Sequence, residues 1–462
     1  MERNLRGLCQ KLGVAVFLAE FFVTCVSSHA ALWSTGYYPG WEQGSMPAST
    51  IDFGALTHII HFSLVPNTDG SLNSSANSIT TANSSDIVSR AHSAGLKVLI
   101  CVGGASTENS FQGATTNTHL ASFIQNLTNF VASRGYDGVD IDWEPLPATD
   151  FQQYSNLVIG LRSALNQSSQ KKLLTAAAGA YPSYGDPPNS EYAMFASLQS
   201  QFDQINIMTY DLSGPYPGWV TWFNSPMYDG GYRFPSTGGL VPSVDGAVSG
   251  FVTNGVAPGK LGIGIAFYGD VWVGGSGTST GGVTLPRQSW TTAPTLSQVA
   301  YNTIIGSYYQ SNLYHWDTSA QAAWLSITNA SPANDMFISY DDPRTCQAKV
   351  SYARNHTLGG VMIWEIAQDH LSGQPDVLLE TVKQAFASPG ELAIHRTNAN
   401  IALNFNAIAL GSYRVLWSGS LASNSWNTLA ITNISGPGQL LQIMDTNPPS
   451  QSPKFYRVQS PQ

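Results

Sequence analysis

The segment Asp137-Gly138-Val139-Asp140-Ile141-Asp142-Trp143-Glu144 sets carboxylates at 137, 140, 142 and 144. Asp140, Asp142 and Glu144 alternate with the apolar Val139, Ile141 and Trp143. In an extended strand, residues two apart share a face, about 7 Å apart along the chain. The three acids therefore form a column on one face, and the apolar residues point the other way. Stacked carboxylates repel, so at least one must keep a proton near neutral pH. Glu144, the outermost, is best placed to hold that proton and give it to a leaving group. Asp137 stands off the alternation. Neutralisation by calcium would need an oxygen-rich turn with glycine at a fixed place. That pattern is absent, and no metal or other cofactor is expected.

A column of this kind must be carried by a strand that ends at an open face. Short apolar runs that read as strands are Ser34–Tyr38, His58–Leu64, Lys97–Val102, Gly138–Asp142, Leu173–Ala178, Gln204–Met208, Lys260–Ile265 and Gly360–Trp364. Amphipathic stretches lie between many of them, such as Ser85–Ala94, Leu120–Arg134, Asp150–Asn166 and Tyr192–Gln201. Strands alternating with helices, each strand apolar on both faces, predict an α/β fold, a parallel (β/α)8 TIM barrel over 31–387. The carboxylate column then ends at the C-terminal mouth, where barrel enzymes do their chemistry. The stretch from about 271 to 331 is too long for a loop and is expected to be an inserted subdomain. Ser388-Pro389-Gly390 reads as a linker. Beyond it, over 391–462, short alternating runs separated by turn residues predict a small all-β sandwich.

Composition narrows the function classes. Charged residues make up 11% of the 462-residue chain and hydrophobic residues 43%, with a formal net charge of −9. A low-charge surface rich in Ser, Thr, Asn, Gln and Gly suits an extracellular protein that meets neutral polymers. Nucleic acid is excluded as a partner, because phosphate binding needs a Lys/Arg footprint. Arg3, Arg6 and Lys11 precede an apolar run from Leu12 to Val26, and Ser28-His29-Ala30 offers a cleavage site. Residues 1–30 are thus expected to be a signal peptide. The protein would then be secreted, with no membrane association after cleavage. Cys9 and Cys25 would leave with that peptide. Cys101 and Cys346 remain and are expected to be buried free thiols.

The carboxylate segment resembles the DxxDxDxE signature of family 18 glycoside hydrolases, the chitinases and their relatives. Further motifs follow in order over Ala31–Ala387. Gly36-Tyr37-Tyr38-Pro39-Gly40-Trp41 is similar to the family's first strand. Val102-Gly103-Gly104 resembles the third-strand SxGG motif, and Met208-Thr209-Tyr210-Asp211 the sixth-strand MxYD motif. Phe267-Tyr268-Gly269 is similar to the seventh strand, and Trp364 matches the tryptophan ending the eighth. Ser339-Tyr340-Asp341-Asp342 resembles members with an inserted α+β subdomain.

The resemblance implies substrate-assisted retaining hydrolysis of β-1,4-linked N-acetylglucosamine chains. In that scheme Glu144 is the acid, then the base. Asp142 holds the acetamido N–H, Asp140 shares a proton with Asp142, and Tyr210 bonds the acetamido oxygen. Tyr37, Met208, Asp211, Tyr268 and Trp364 are implied substrate-binding residues, with Asp137, at the strand end, and Gly103 and Gly104 as structural support. Trp41, Trp219 and Trp222 are further candidates for lining a cleft. Partners are expected to be chitin or chito-oligosaccharides, met by a monomeric, endo-acting enzyme. Two other readings stay open: an endo-β-N-acetylglucosaminidase acting on N-glycans, and a chitin-binding lectin without turnover. The chain departs from the family pattern at Cys101 in place of Ser, at Ala105 where Trp is frequent, and at Asp270 where Arg is common. The C-terminal run, with Tyr413, Trp426 and Tyr456, resembles small β-modules appended to secreted enzymes. A spacer role is favoured there over carbohydrate binding.

Overall fold

The computed structural model describes residues 32–386, 393–397, 400–407, 412–420, 425–433, 439–447 and 454–459. The expected signal peptide at 1–30 and the linker at 388–390 lie outside the described residues. Eight parallel strands close into a barrel: β1 (Trp33–Pro39), β2 (His58–Pro66), β3 (Lys97–Gly104), β4 (Gly138–Trp143), β5 (Leu173–Gly179), β6 (Gln204–Met208), β7 (Leu261–Ala266) and β8 (Gly360–Trp364). Each pairs with its neighbour in chain order, and β8 pairs with β1, with Gly36 opposite Ile363, to close the ring. The expected TIM barrel is the observed fold.

The outward face of each strand packs under helices. Helix Leu120–Arg134 buries Phe123, Leu127 and Val131, one residue per turn, and ends on Gly135 at φ 78. That left-handed cap favours glycine, which carries no Cβ penalty there. Helix Phe151–Leu165 buries Tyr154, Leu157, Val158, Leu161 and Leu165 in the same way. Val139, Ile141 and Trp143 of β4 lie in this outer layer, and Trp143 stacks on Phe111 at 4.6 Å. The inside of the barrel is more polar. Tyr37, Leu99, Cys101 and Met362 share it with the buried Asp140, Thr175 and Asn206.

A five-stranded antiparallel sheet is inserted between β7 and β8. Its strands run from Tyr268–Val273, through Thr295–Ala300, Tyr314–Asp317 and Ala322–Ile327, to Met336–Tyr340, with helix Tyr301–Ser307 between. The insertion is thus wider at both ends than the 271–331 expected. The reason is that Tyr268–Val273 leaves the barrel immediately after β7 and pairs with Met336–Tyr340. Asp341, just past this sheet, accepts a hydrogen bond from Ala266 N at 3.0 Å and forms a buried ion pair with Lys349. Helix Pro343–Asn355 follows, started by an Asp342–Thr345 capping box. Cys101 and Cys346 are buried free thiols.

Beyond 392, strands Ala393–Thr397, Asn400–Ala407 and Gln439–Asp445 form one antiparallel sheet. Ser412–Ser418, Asn427–Asn433 and Phe455–Gln459 form another. Leu403 of the first and Tyr413 and Val415 of the second share a small apolar cluster. This matches the all-β texture, with Ala393–Thr397 as an additional strand.

Candidate active site

The column on β4 is built as the alternation requires. Asp140 and Asp142 are buried and Glu144 is half-buried just past the strand end. Opposite on β3, Cys101 pairs with Asp140 and Gly103 with Asp142. Glu144 is anchored through its backbone carbonyl, which accepts from Thr107 N at 2.9 Å and Glu108 N at 3.2 Å. Asp137 sits at the other end of β4, where its carboxylate accepts from His92 at 2.8 Å, Val98 N at 2.9 Å and Lys97 at 3.1 Å. Burial would raise its pKa, but the Val98, His92 and Lys97 hydrogen bonds bring it below the ordinary value. It lies at the end of β4 away from Glu144 and ties that end to Lys97 and Val98 of β3.

Gly103 is required by close approach. At φ 117, a Cβ there would meet the Asp142 carbonyl oxygen at 1.9 Å. Gly103→Ala is expected to destabilise the fold by at least about 3 kcal/mol and to displace the carboxylate column. Urea unfolding checks this.

Burial dominates the protonation of the column. Asp142 is pushed well above the ordinary carboxylate range, first by desolvation and then by the charge of Glu144. Glu144 is raised too, again by desolvation, and the nearby Asp211 charge adds to the effect. The two carboxyls stand two residues apart on one face, so the charge of one disfavours ionisation of the other. Asp142 Oδ1 has no hydrogen-bond donor among the described residues. Asp140 is turned elsewhere: Oδ2 accepts from Tyr37 Oη at 2.9 Å and Oδ1 from Thr175 Oγ1 at 2.5 Å. Donors on β1 and β5 thus hold both oxygens of Asp140.

Above the column opens a cleft of about 760 Å³, with Tyr37, Met208, Tyr210 and Trp364 in its wall beside Asp142 and Glu144. Trp364 is braced edge-on by Phe62 at 4.7 Å and Tyr37 at 5.6 Å. Trp41 is 46% exposed at the rim and rests on Phe62. The Tyr210 hydroxyl has a thioether, Met362 Sδ at 3.7 Å, as its partner. A thioether is a weak acceptor, so the hydroxyl is available to a bound group. Asp211 adopts φ 57, a left-handed conformation that Asp tolerates, with its N–H bonded to Asn224 Oδ1 at 2.7 Å. The charged side chains in the wall are Asp142, Glu144 and Asp211, all acidic.

Three expected contacts are corrected. Trp222 is fully buried in a separate apolar cluster with Phe223 and Trp272, and its Nε1 donates to Pro242 O at 2.8 Å. Its large apolar ring is consumed by packing beneath the inserted sheet and does not reach the cleft. Tyr268 is also buried and stands behind the wall, donating to Asp211 Oδ1 at 2.6 Å. Trp219 packs between Tyr216 and Phe234, outside the cleft wall. Several cleft residues have no short motif to mark them, Gln298, Tyr181 and Asn77 among them. Gln298 reaches in from strand Thr295–Ala300 and bonds Asp211 Oδ1 at 2.7 Å. Tyr181 and Asn77 come from loops. Of the departures, Ala105 lines the cleft, while Asp270 is buried and bonded to Ser213.

Comparison with known proteins bears on this geometry. The profile of the glycosyl hydrolases family 18 matches residues 34–369. Chitinase A1 of Niallia circulans is 32% identical over 303 residues, which is 59% of this chain and 41% of that protein. The class V chitinase of Arabidopsis thaliana is 27% identical over 381 residues, 79% of this chain and 93% of its own length. The crystal structure of the Group IV chitinase of Ostrinia furnacalis superposes with a TM-score of 0.65 at 23% identity, covering 77% of this chain and all of that one. The last likeness speaks for the fold alone. With the profile spanning both the carboxylate column and the β6 and β8 motifs, the chain belongs to the family 18 glycosyl hydrolases.

Proposed function

We propose that this protein is a secreted chitinase that cleaves β-1,4-linked N-acetylglucosamine chains by substrate-assisted, retaining catalysis. The observation that carries the reading is that Asp142, Glu144 and the Tyr210 hydroxyl line one cleft of about 760 Å³ at the mouth of the barrel. Glu144 delivers its proton to the glycosidic oxygen as the C1–O bond breaks. The acetamido oxygen of the same sugar attacks C1, giving an oxazolinium ion. Asp142 accepts a hydrogen bond from the acetamido N–H and offsets the developing positive charge. The Tyr210 hydroxyl bonds the acetamido oxygen and aligns it. Burial and the surrounding carboxylates raise the Tyr210 pKa well above the ordinary phenol value, so it remains a donor. After the leaving chain departs, Glu144 takes a proton from water, which attacks C1 with net retention. Trp364 offers a face for the sugar's C–H surface, and Met208 and Asp211 bound its sides.

Incubation with N-acetylglucosamine hexamer, followed by mass spectrometry, tests the reading. Shorter oligomers support it, and an intact hexamer beside a trimmed high-mannose glycoprotein would replace it. Tyr210→Phe is expected to lower kcat roughly tenfold to a hundredfold with little change in KM. An unchanged kcat would remove that hydroxyl from the aligning role.

A further inference from the structure

Asp270 stands where the resemblance makes arginine common, and it lies behind the cleft wall. On strand Tyr268–Val273 it is register partner to Gln298 on one side and to Ser339 on the other. Register partners share a face of a sheet, and Gln298 reaches the cleft, where it bonds Asp211 Oδ1 at 2.7 Å. Asp270 is 1% exposed. Its Oδ2 accepts from Ser213 Oγ at 2.9 Å, while its Oδ1 has no donor among the described residues. The Asp211 charge acts on Asp270, so the two carboxyls lie within electrostatic reach of each other. Among the described residues, both side-chain hydrogen bonds to the Asp211 carboxylate, from Tyr268 and Gln298, fall on Oδ1. Asp211 is exposed in the cleft, so its Oδ2 is open to a ligand.

The acids at this wall are not balanced by the protein. Asp142, Glu144 and Asp211 line the cleft, and among the described residues no Lys, Arg or His does. Asp270 adds another carboxyl where an arginine would place a positive charge. Buried carboxylates without a counter-charge are costly, and a cation that enters the cleft relieves that cost. Trp41 and Trp364 in the same wall offer aromatic faces to a sugar. A cation carried on a sugar is the ammonium of a glucosamine residue. We propose that Asp270, acting through Asp211, makes the cleft prefer chains in which a glucosamine residue adjoins the reacting N-acetylglucosamine. Asp270 is a positioning residue that keeps the wall negative, and Asp211 Oδ2 is the atom that meets the ammonium. The inference rests on the proposed substrate-assisted cleavage, in which the reacting sugar keeps its acetamido group. The cation therefore belongs to a neighbouring sugar of the same chain.

The test compares kcat/KM for the fully acetylated hexamer with that for hexamers carrying a single glucosamine at a defined position, the products being identified by mass spectrometry. Wild type is expected to favour the chain whose glucosamine flanks the cut by about fivefold. Asp270→Asn, which keeps the shape, is expected to bring that ratio to about one, and Asp270→Arg to push it lower still. Near-UV circular dichroism checks the fold, and Asp270→Ser takes the place of any variant that does not fold. A merely structural role for Asp270 would lower both rates and leave their ratio in place. A wild-type ratio at or below one, or a ratio unmoved in Asp270→Asn, would overturn the proposal. If wild type cuts neither chain, the reading of the reaction fails separately. Calorimetric titration with glucosamine tetramer and N-acetylglucosamine tetramer then decides the point. Tighter binding of the glucosamine tetramer by wild type, lost in Asp270→Asn, supports the cationic preference; equal binding of the two tetramers overturns it.

Discussion

Replacing Glu144 by Gln is expected to lower kcat on the order of 10³-fold while oligosaccharide affinity changes by less than about tenfold. The amide has nearly the shape of the carboxyl but cannot deliver a proton to the leaving oxygen or take one from water. The backbone anchors of Glu144, from Thr107 and Glu108, do not involve the side chain and survive the change. Steady-state kinetics and calorimetric titration with the hexamer separate the two effects. Loss of binding equal to the loss of rate would mean that the carboxyl serves ground-state binding instead. The pH profile follows from the same environment. Burial and the Asp211 charge lift Glu144 above the ordinary carboxylate range. As the required acid, it should support turnover to correspondingly higher pH, with the rate falling as pH rises through that raised value.

Asp142→Asn is expected to cost about 10²- to 10³-fold in kcat, with a smaller effect on KM. Asp142 is buried beneath the cleft, and its Oδ1 has no hydrogen-bond donor among the described residues. In that desolvated setting its charge acts most strongly on the positive charge that grows at C1 and on the oxazolinium ring. An asparagine keeps the shape and one acceptor but removes the charge. Burst and steady-state kinetics with oligosaccharides check this. A loss below about threefold would show that the anion contributes little and that Glu144 carries the chemistry alone.

Much of this site was legible before any coordinates. The alternation of Asp140, Asp142 and Glu144 with Val139, Ile141 and Trp143 dictates two faces, and a strand covered on both faces has to sit in a barrel wall. The barrel strands were equally clear, because each is a short apolar run; the ends shifted by a residue or two, as at β3, which extends to Gly104. Trp222 misled, because tryptophan suits both a sugar platform and a packed core. Only tertiary burial separates those uses. Gln298 was hidden for the opposite reason: it is an ordinary polar residue on an inserted strand, brought to Asp211 by a sheet whose register no short motif encodes. Thr175 was likewise silent, since its partner lies 35 residues away and is reached only across a parallel pair. The column's acids were legible as a set, while the donors that hold Asp140 from β1 and β5 were not.

The central claim is that the substrate's own acetamido group is the nucleophile above a proton-donating Glu144. The most direct measurement compares hydrolysis of a fully acetylated N-acetylglucosamine hexamer with that of the corresponding glucosamine hexamer, by mass spectrometry under the same conditions. The account predicts that the acetylated chain is cut to shorter oligomers and the glucosamine chain is left intact, because it has no acetamido oxygen to attack C1. Cleavage of both chains at comparable rates would contradict it.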